Sequence, residues 1–201
     1  MQTKGTDMTK KPTTPRQHKL FYGSSYDRGL EHLLQMWPEI RQAFPDAELH
    51  ICYGWDMYDK AYGNNPERQA WKHRMNDDMD QPGIKHHGRL SKRHVKKLQK
   101  KCGIWAYPTH FGETCCITAL ESQAHGCVPV TMNLAALRET VQSGYKIEGD
   151  IYDEETQVEY LTALLHMMKD EEFWAKESAK GIAFSEQFTW SNIAKHWANI
   201  F

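Results

Sequence analysis

Gly103-Ile-Trp-Ala-Tyr-Pro-Thr-His-Phe-Gly-Glu-Thr-Cys-Cys-Ile-Thr-Ala-Leu-Glu-Ser-Gln-Ala-His-Gly-Cys-Val-Pro-Val130 is the stretch that decides the fold. Its first five residues form a short apolar run, as a buried strand does. A polar loop, Pro108 to Thr114, leads into a helical pattern over about 115–125. Gly126 supplies a left-handed stop, and Val128-Pro-Val-Thr131 reads as a second buried strand. Two strands joined by a helix of about ten residues imply a right-handed crossover and parallel neighbours.

The same alternation extends in both directions. Lys19-Leu-Phe-Tyr22 is strand-like, and Gly23-Ser-Ser ends it. After Asp27, read as an N-cap, Leu30, Leu33, Leu34, Trp37, Ile40 and Phe44 recur at helical spacing, with Pro38 predicting a kink or a tightened turn. Ala47–Tyr53 is the next strand, closed by Gly54-Trp55, and a polar helix follows at about 66–77. Ile84–Gly88 reads as a strand end. Ser91 caps a helix whose apolar face is Val95, Leu98 and Cys102. A short helix at about 134–141 and two or three further helices complete the chain. The predicted fold is α/β, a doubly wound parallel sheet of Rossmann type with C-terminal helices. No internal repeat is present.

At 201 residues, the length suits one domain with a real core. Residues 1–18, rich in Lys, Thr and Pro, read as a flexible lead-in, leaving 19–201 as the folded domain. There is no signal-peptide pattern and no apolar run long enough to span a membrane, which predicts a soluble, cytoplasmic protein. Five cysteines without a CxxC pair fit reduced thiols. The net charge of -1 argues against a dedicated nucleic-acid binder, yet it conceals strong patterning. Residues 85–101 carry eight Lys/Arg and no acid, while 150–172 carry eight acids and the single base Lys169.

In doubly wound sheets ligands bind where strands hand over to helices at the carboxyl edge. Three such loops carry unusual chemistry. Gly23-Ser24-Ser25-Tyr26-Asp27-Arg28-Gly29 offers close backbone approach, small hydroxyls and a guanidinium fork, although taken alone it is better explained as an ordinary turn with a surface arginine. Gly88-Arg89-Leu90-Ser91 is the second. The third, Pro108–Thr118, opens a helix whose unpaired amides near Cys116, Ile117 and Thr118 could hold a diphosphate. Glu113 stands at that helix mouth and Glu121 lies eight residues on, about 12 Å along an ideal helix axis. Two carboxylates flanking a phosphate cradle suit a nucleotide sugar, one acid for the sugar hydroxyls and one for the ribose. On spacing alone, Glu113 as a dipole partner and Glu121 as a solvated residue fit equally well.

Taken together, Glu113-Thr-Cys-Cys-Ile-Thr-Ala-Leu-Glu121 and the following Ala124-His-Gly126-Cys-Val-Pro-Val130 resemble the E-x7-E signature of family 4 retaining glycosyltransferases. Further matches in order are Arg28-Gly29, the Leu49–Gly54 strand, His87-Gly-Arg-Leu-Ser91, Ala136-Leu-Arg-Glu-Thr-Val141 and a terminal segment with Trp190 and Trp197. The resemblance implies the donor-binding half of a GT-B enzyme. Glu113 would contact the donor sugar as the catalytic-site acid, Glu121 the ribose, and the amides of Cys116, Ile117 and Thr118 the phosphates. Arg28 stands for the family lysine, and Gly88-Arg89-Leu90 would lie near the base. Retention of configuration and independence of metal are likewise implied, so no cofactor beyond the nucleoside-diphosphate sugar is expected.

Two departures from the family pattern stand out. Ser24 and Ser25 occupy the stretch where the family carries an arginine, leaving Arg89 or Lys19 to compensate. Upstream of Lys19 there is too little chain for the acceptor-binding domain. The expectation is therefore a fragment, a protein that needs an acceptor-domain partner chain, or a module that only binds nucleotide sugars. A nucleotide-sugar epimerase ranks below these. The basic helix 92–101 reads first as a solvated face and second as a contact for an anionic surface, a peripheral membrane among them. The histidines show no metal-ligand spacing. Trp37, Trp105 and Trp190 are expected in the core, and Trp55 near a pocket.

Overall fold

The structure, a computed structural model, describes residues 14–200. Six parallel strands form one sheet: β1 (Lys19–Tyr22), β2 (Glu48–Ile51), β3 (Ile84–His86), β4 (Ile104–Tyr107), β5 (Val128–Met132) and β6 (Tyr145–Ile147). Their order is β3-β2-β1-β4-β5-β6, with every neighbouring pair parallel. The chain winds outward one way from β1 and the other way from β4. Loops leaving these two central strands therefore diverge and open a crevice at the carboxyl edge.

Helix α1 (Leu30–Ala43) covers one face of the sheet and buries Leu30, Leu33, Leu34, Trp37 and Ile40, as their spacing predicts. It starts later than the sequence suggests. Gly29, not Asp27, is the N-cap, and Asp27 instead accepts a hydrogen bond from Ser25 Oγ at 2.6 Å. Pro38 sits within a continuous helix, on its exposed side. Its ring leaves the Leu34 carbonyl without an intrahelical donor, and Gln81 Nε2 donates to that oxygen at 3.2 Å.

Helices α2 (Asp56–Tyr62) and α3 (Pro66–Asp78) lie between β2 and β3, and α4 (Lys92–Lys101) leads back to β4. Ser91 occupies the α4 N-cap, but its hydroxyl pairs with His94 Nδ1 at 2.8 Å and makes no side-chain cap bond. Helix α5 (Ile117–Ala124) begins two residues later than predicted, and Gly126 closes it with φ +70°. The short α6 (Leu137–Thr140) precedes β6. Then come α7 (Glu154–Lys169), α8 (Glu171–Ser185) and α9 (Trp190–Ala198).

The core is strongly aromatic, and most of its polar tips are anchored, the buried Trp105 Nε1 being an exception. Trp37 Nε1 donates to the Pro82 carbonyl, Tyr160 Oη to that of Val130, and Trp174 Nε1 to that of Gly103. Burying rings while pairing their donors avoids the cost of a stranded polar group. Trp190, expected inside, is 86% exposed.

Of the lead-in predicted over 1–18, residues 1–13 lie outside the described residues. Arg16–His18 form a 3-10 turn rather than a free tail. The Arg16 guanidinium donates to the carbonyls of Cys102 and His125 at 2.9 and 2.5 Å, tying the turn to the ends of α4 and α5.

Candidate functional site

The crevice between β1 and β4 holds the residues that the sequence singled out, and the packing of Gly29 sets its shape. Gly29 has φ +105°, and a Cβ there would lie 2.0 Å from the Pro108 carbonyl oxygen. Only glycine lets the β1–α1 loop press against the β4–α5 loop in this way. Arg28 is thereby delivered to Glu113, 85 residues away in the chain.

Arg28 Nη1 donates to Glu113 Oε1 at 3.1 Å, and Tyr107 Oη donates to the same oxygen at 2.7 Å. Ser24 Oγ joins Tyr107 Oη at 3.2 Å. The guanidinium also covers the Phe111 ring, 3.8 Å from its centroid. Glu113 is only 14% exposed at its side chain, so the pair is partly desolvated and fixed in direction. Burial works against the charge on Arg28, but the attraction and hydrogen bond of Glu113 together with Tyr107 and Tyr53 outweigh it and the pKa is raised. Burial also pushes the Tyr107 phenol upward, so it stays a donor.

The Glu113 main chain is held as firmly. Its carbonyl accepts from the Ala136 amide at 3.1 Å. The adjacent Ala135 has φ +46° and is the only described non-glycine residue with positive φ. Such strain persists where surrounding contacts enforce it, and it gathers at ligand sites. No sequence signal distinguished Ala135, because alanine is not a residue that normally marks such a turn.

The mouth of α5 follows directly. Cys116 is its buried N-cap, and Ile117 and Thr118 are its first residues. The Ile117 amide turns back onto the Cys115 carbonyl at 3.0 Å, and the backbone of Thr118 and Ala119 reaches the Cys116 thiol. Ile117 is 63% exposed beside it. Burial pushes the Cys116 thiol up to about 12, so it is not a thiolate nucleophile. Because α5 starts at Ile117, only the step from Ile117 to Glu121 has helical rise, and the 12 Å separation does not transfer to Glu113.

Glu121 is exposed. It lines a groove of about 450 Å³ with Lys92, Arg93, Lys96, Gln99 and His125. The β3–α4 loop packs against the segment that leaves β2. Gly88 has φ +60°, its carbonyl accepts from the Tyr53 amide, and the Arg89 backbone packs against Gly54. Leu90 is half-buried and Arg89 exposed. Lys19 begins β1, at the opposite edge of the sheet, and so cannot compensate for the missing cation. Trp55 packs against Tyr26, Tyr58 and Trp71 rather than facing the crevice openly. Among the described residues, no group of three or more His, Cys, Asp or Glu side chains is placed to hold a metal ion.

The sequence profile of the family described as "Glycosyl transferases group 1" matches residues 10–181. The chain belongs to that family. Among solved structures it is similar to the pneumococcal O-GlcNAc transferase GtfA in complex with UDP and GlcNAc, with TM-score 0.67 and 14% identity, over 92% of this chain and 35% of that one. It is also similar to Anabaena Alr3699/HepE in complex with UDP and glucose, with TM-score 0.70 and 15% identity, over 92% and 48%. The catalytic domain of Starch Synthase IV from Arabidopsis thaliana, bound to ADP and acarbose, gives TM-score 0.67 and 13% identity, over 94% and 38%. These likenesses show the fold, one Rossmann-like half of the GT-B architecture. The chain spans between about a third and a half of the length of these structures. No curated protein matches it in sequence.

Proposed function

We propose that this chain is the donor-binding half of a retaining, metal-independent hexosyl-type glycosyltransferase of family 4 character. The observation that carries the reading is the convergence of Arg28, Glu113 and the N-terminus of α5 at the switch point of the sheet. In this reading the diphosphate of a nucleotide sugar sits on the amides of Cys116, Ile117 and Thr118. Gly23, Ser24 and Ser25 approach it from the β1 side. Arg28 then turns from Glu113 toward the phosphate, and Glu113 is freed for the sugar hydroxyls. Glu121 takes the ribose, and the backbone of Gly88, Arg89 and Leu90 the base. Arg28 and the helix amides offset charge on the leaving diphosphate, which assists attack from the same face of the sugar.

The test is thermal unfolding with UDP, GDP, ADP and their sugars, in chelator. One of these nucleotides raises Tm without added metal, and Glu121→Ala weakens the ribonucleotide about tenfold, roughly 1.4 kcal/mol. If no nucleotide moves the melting curve at millimolar concentration, the proposal fails.

A second reading is a nucleotide-sugar-binding module that works with a separate acceptor-domain chain. Transfer that appears only when a co-purified second chain is added back would select it.

Helix α4 is proposed to guide a cytoplasmic protein to an anionic surface. None of Lys92, Arg93, Lys96, Lys97, Lys100 or Lys101 forms an ion pair among the described residues. Leu98 is buried, so the contact would be electrostatic, about 1 kcal/mol per cation near the surface. Sedimentation with phosphatidylserine vesicles should fall steeply between low and moderate salt. Absence of binding at low salt would remove this element.

A further inference from the structure

On the other side of Arg28, away from the α5 mouth, lies a cleft of about 320 Å³ between α2 and Phe111. One side is formed by Tyr53 and, from α2, Met57, Tyr58 and Tyr62; the other by Phe111 and the loop residues Ser25 and Asp27. Met57 is 53% exposed and Phe111 40%, two large apolar side chains left open to solvent within one small concavity. Scattered exposed apolar residues need no explanation, but a concave group beside polar side chains is the form of a ligand site. The volume lies at the small end of the range for such sites.

The lining selects the ligand chemistry. Arg28 is held by Glu113 and the Phe111 face and, in the transferase reading, is drawn to the donor diphosphate, and Asp27 adds a negative charge, so a second anion in the cleft is disfavoured. Asp27 Oδ1 accepts from Ser25 Oγ, leaving Oδ2 open as an acceptor for hydroxyls. A planar base needs parallel faces, yet the Tyr58 and Tyr62 rings are tilted by 58° and Arg28 already occupies the Phe111 ring. A purely apolar guest would cover Asp27 Oδ2 without giving it a partner. A neutral ring with one C–H face and hydroxyls at its edge fits the set, and a pyranose has that form.

We infer that the cleft between α2 and Phe111 is a saccharide subsite, which takes a pyranose ring of the acceptor beside the donor site. The inference deepens the transferase reading and, in calling the sugar an acceptor, rests on it. Met57 and the side of the Tyr62 ring left open by Arg68, whose guanidinium lies 5.0 Å from the ring centroid, recognise the C–H face, and Asp27 the hydroxyls.

The experiment is saturation-transfer NMR on the full chain with the methyl glycosides of glucose, galactose and N-acetylglucosamine. At least one glycoside should receive saturation at its ring C–H protons. Tyr62→Ala and Met57→Asp, both at the cleft mouth, should each weaken that signal about fivefold or more while leaving Tm unchanged. The nucleotide-dependent rise in Tm should survive both substitutions. No transfer to any of the three glycosides, or an undiminished signal in Tyr62→Ala, overturns the inference. Loss of the nucleotide effect in Tyr62→Ala also overturns it, because the cleft would then belong to the donor. Glycoside binding that depends on Tyr62, without any nucleotide binding, would keep the saccharide site and defeat the transferase reading instead.

Discussion

The β1–β4 crevice and the outer face of α4 both present basic side chains, but they treat them in opposite ways. In the crevice a single guanidinium is held by a carboxylate, a ring face and a glycine-enabled loop contact. On α4 six cations project into solvent with no paired acid among the described residues. A partly buried charge keeps its direction and its strength, whereas exposed charges are screened within about 8–10 Å by physiological salt. Position, not number, therefore makes Arg28 the stronger candidate for recognising one particular phosphate. The α4 array is suited to a diffuse anionic surface.

The largest effect that would break this contrast comes from the backbone. Gly29→Ala places a methyl group against the Pro108 carbonyl at a left-handed position, and should destabilise the fold by about 3–5 kcal/mol. Thermal or denaturant unfolding checks this, and a wild-type curve would show that the two loops do not depend on that contact.

Next in size is Arg28→Ala. It should weaken nucleoside-diphosphate binding about tenfold, in keeping with about 1.5 kcal/mol for a charge-assisted hydrogen bond. A triple Lys92→Ser, Lys96→Ser, Lys100→Ser variant should leave that binding within about twofold and reduce only the vesicle interaction. Titration calorimetry at two salt concentrations distinguishes the two regions. If the triple variant costs as much as Arg28→Ala, the comparison collapses.

The smallest effect is in acid. Burial lowers His50 from its ordinary 6.5 to about 4, in a chain of contacts with Glu48 at 3.0 Å and His87 at 2.9 Å. The folded protein holds this imidazole neutral while the unfolded chain protonates it. Stability should therefore fall as pH drops from 6.5 towards 4. His32, His86, His87 and His125 are lowered too, chiefly by burial, and act in the same direction. His50→Phe should flatten part of the decline of Tm with pH. An unchanged slope would place the acid sensitivity in the other four.

Much of the fold is legible in the residues themselves. The strands from Lys19, Leu49, Ile104 and Val128 are compact apolar runs, and the face of α1 repeats at helical spacing, so local patterning specifies them. Two elements leave no such trace. β6 spans three residues, too few for a period to appear, and α2 buries only Tyr58. Trp190 illustrates the converse, since an amphipathic repeat is the same whether or not another element covers it.

Site residues divide along the same line. The sequence by itself determined an alternating α/β chain, the handover loops and the acids flanking the α5 mouth, because these are local matters of spacing and residue chemistry. Only the tertiary structure decided that Arg28 would meet Glu113, that Tyr107 would share the same oxygen, and that Glu121 would turn toward α4. It also brought α2 opposite Phe111. The physical reason is the winding of the sheet. Strand order sets which loops become neighbours, and residues 85 positions apart carry no local mark of a contact that closes only when β1 and β4 lie side by side.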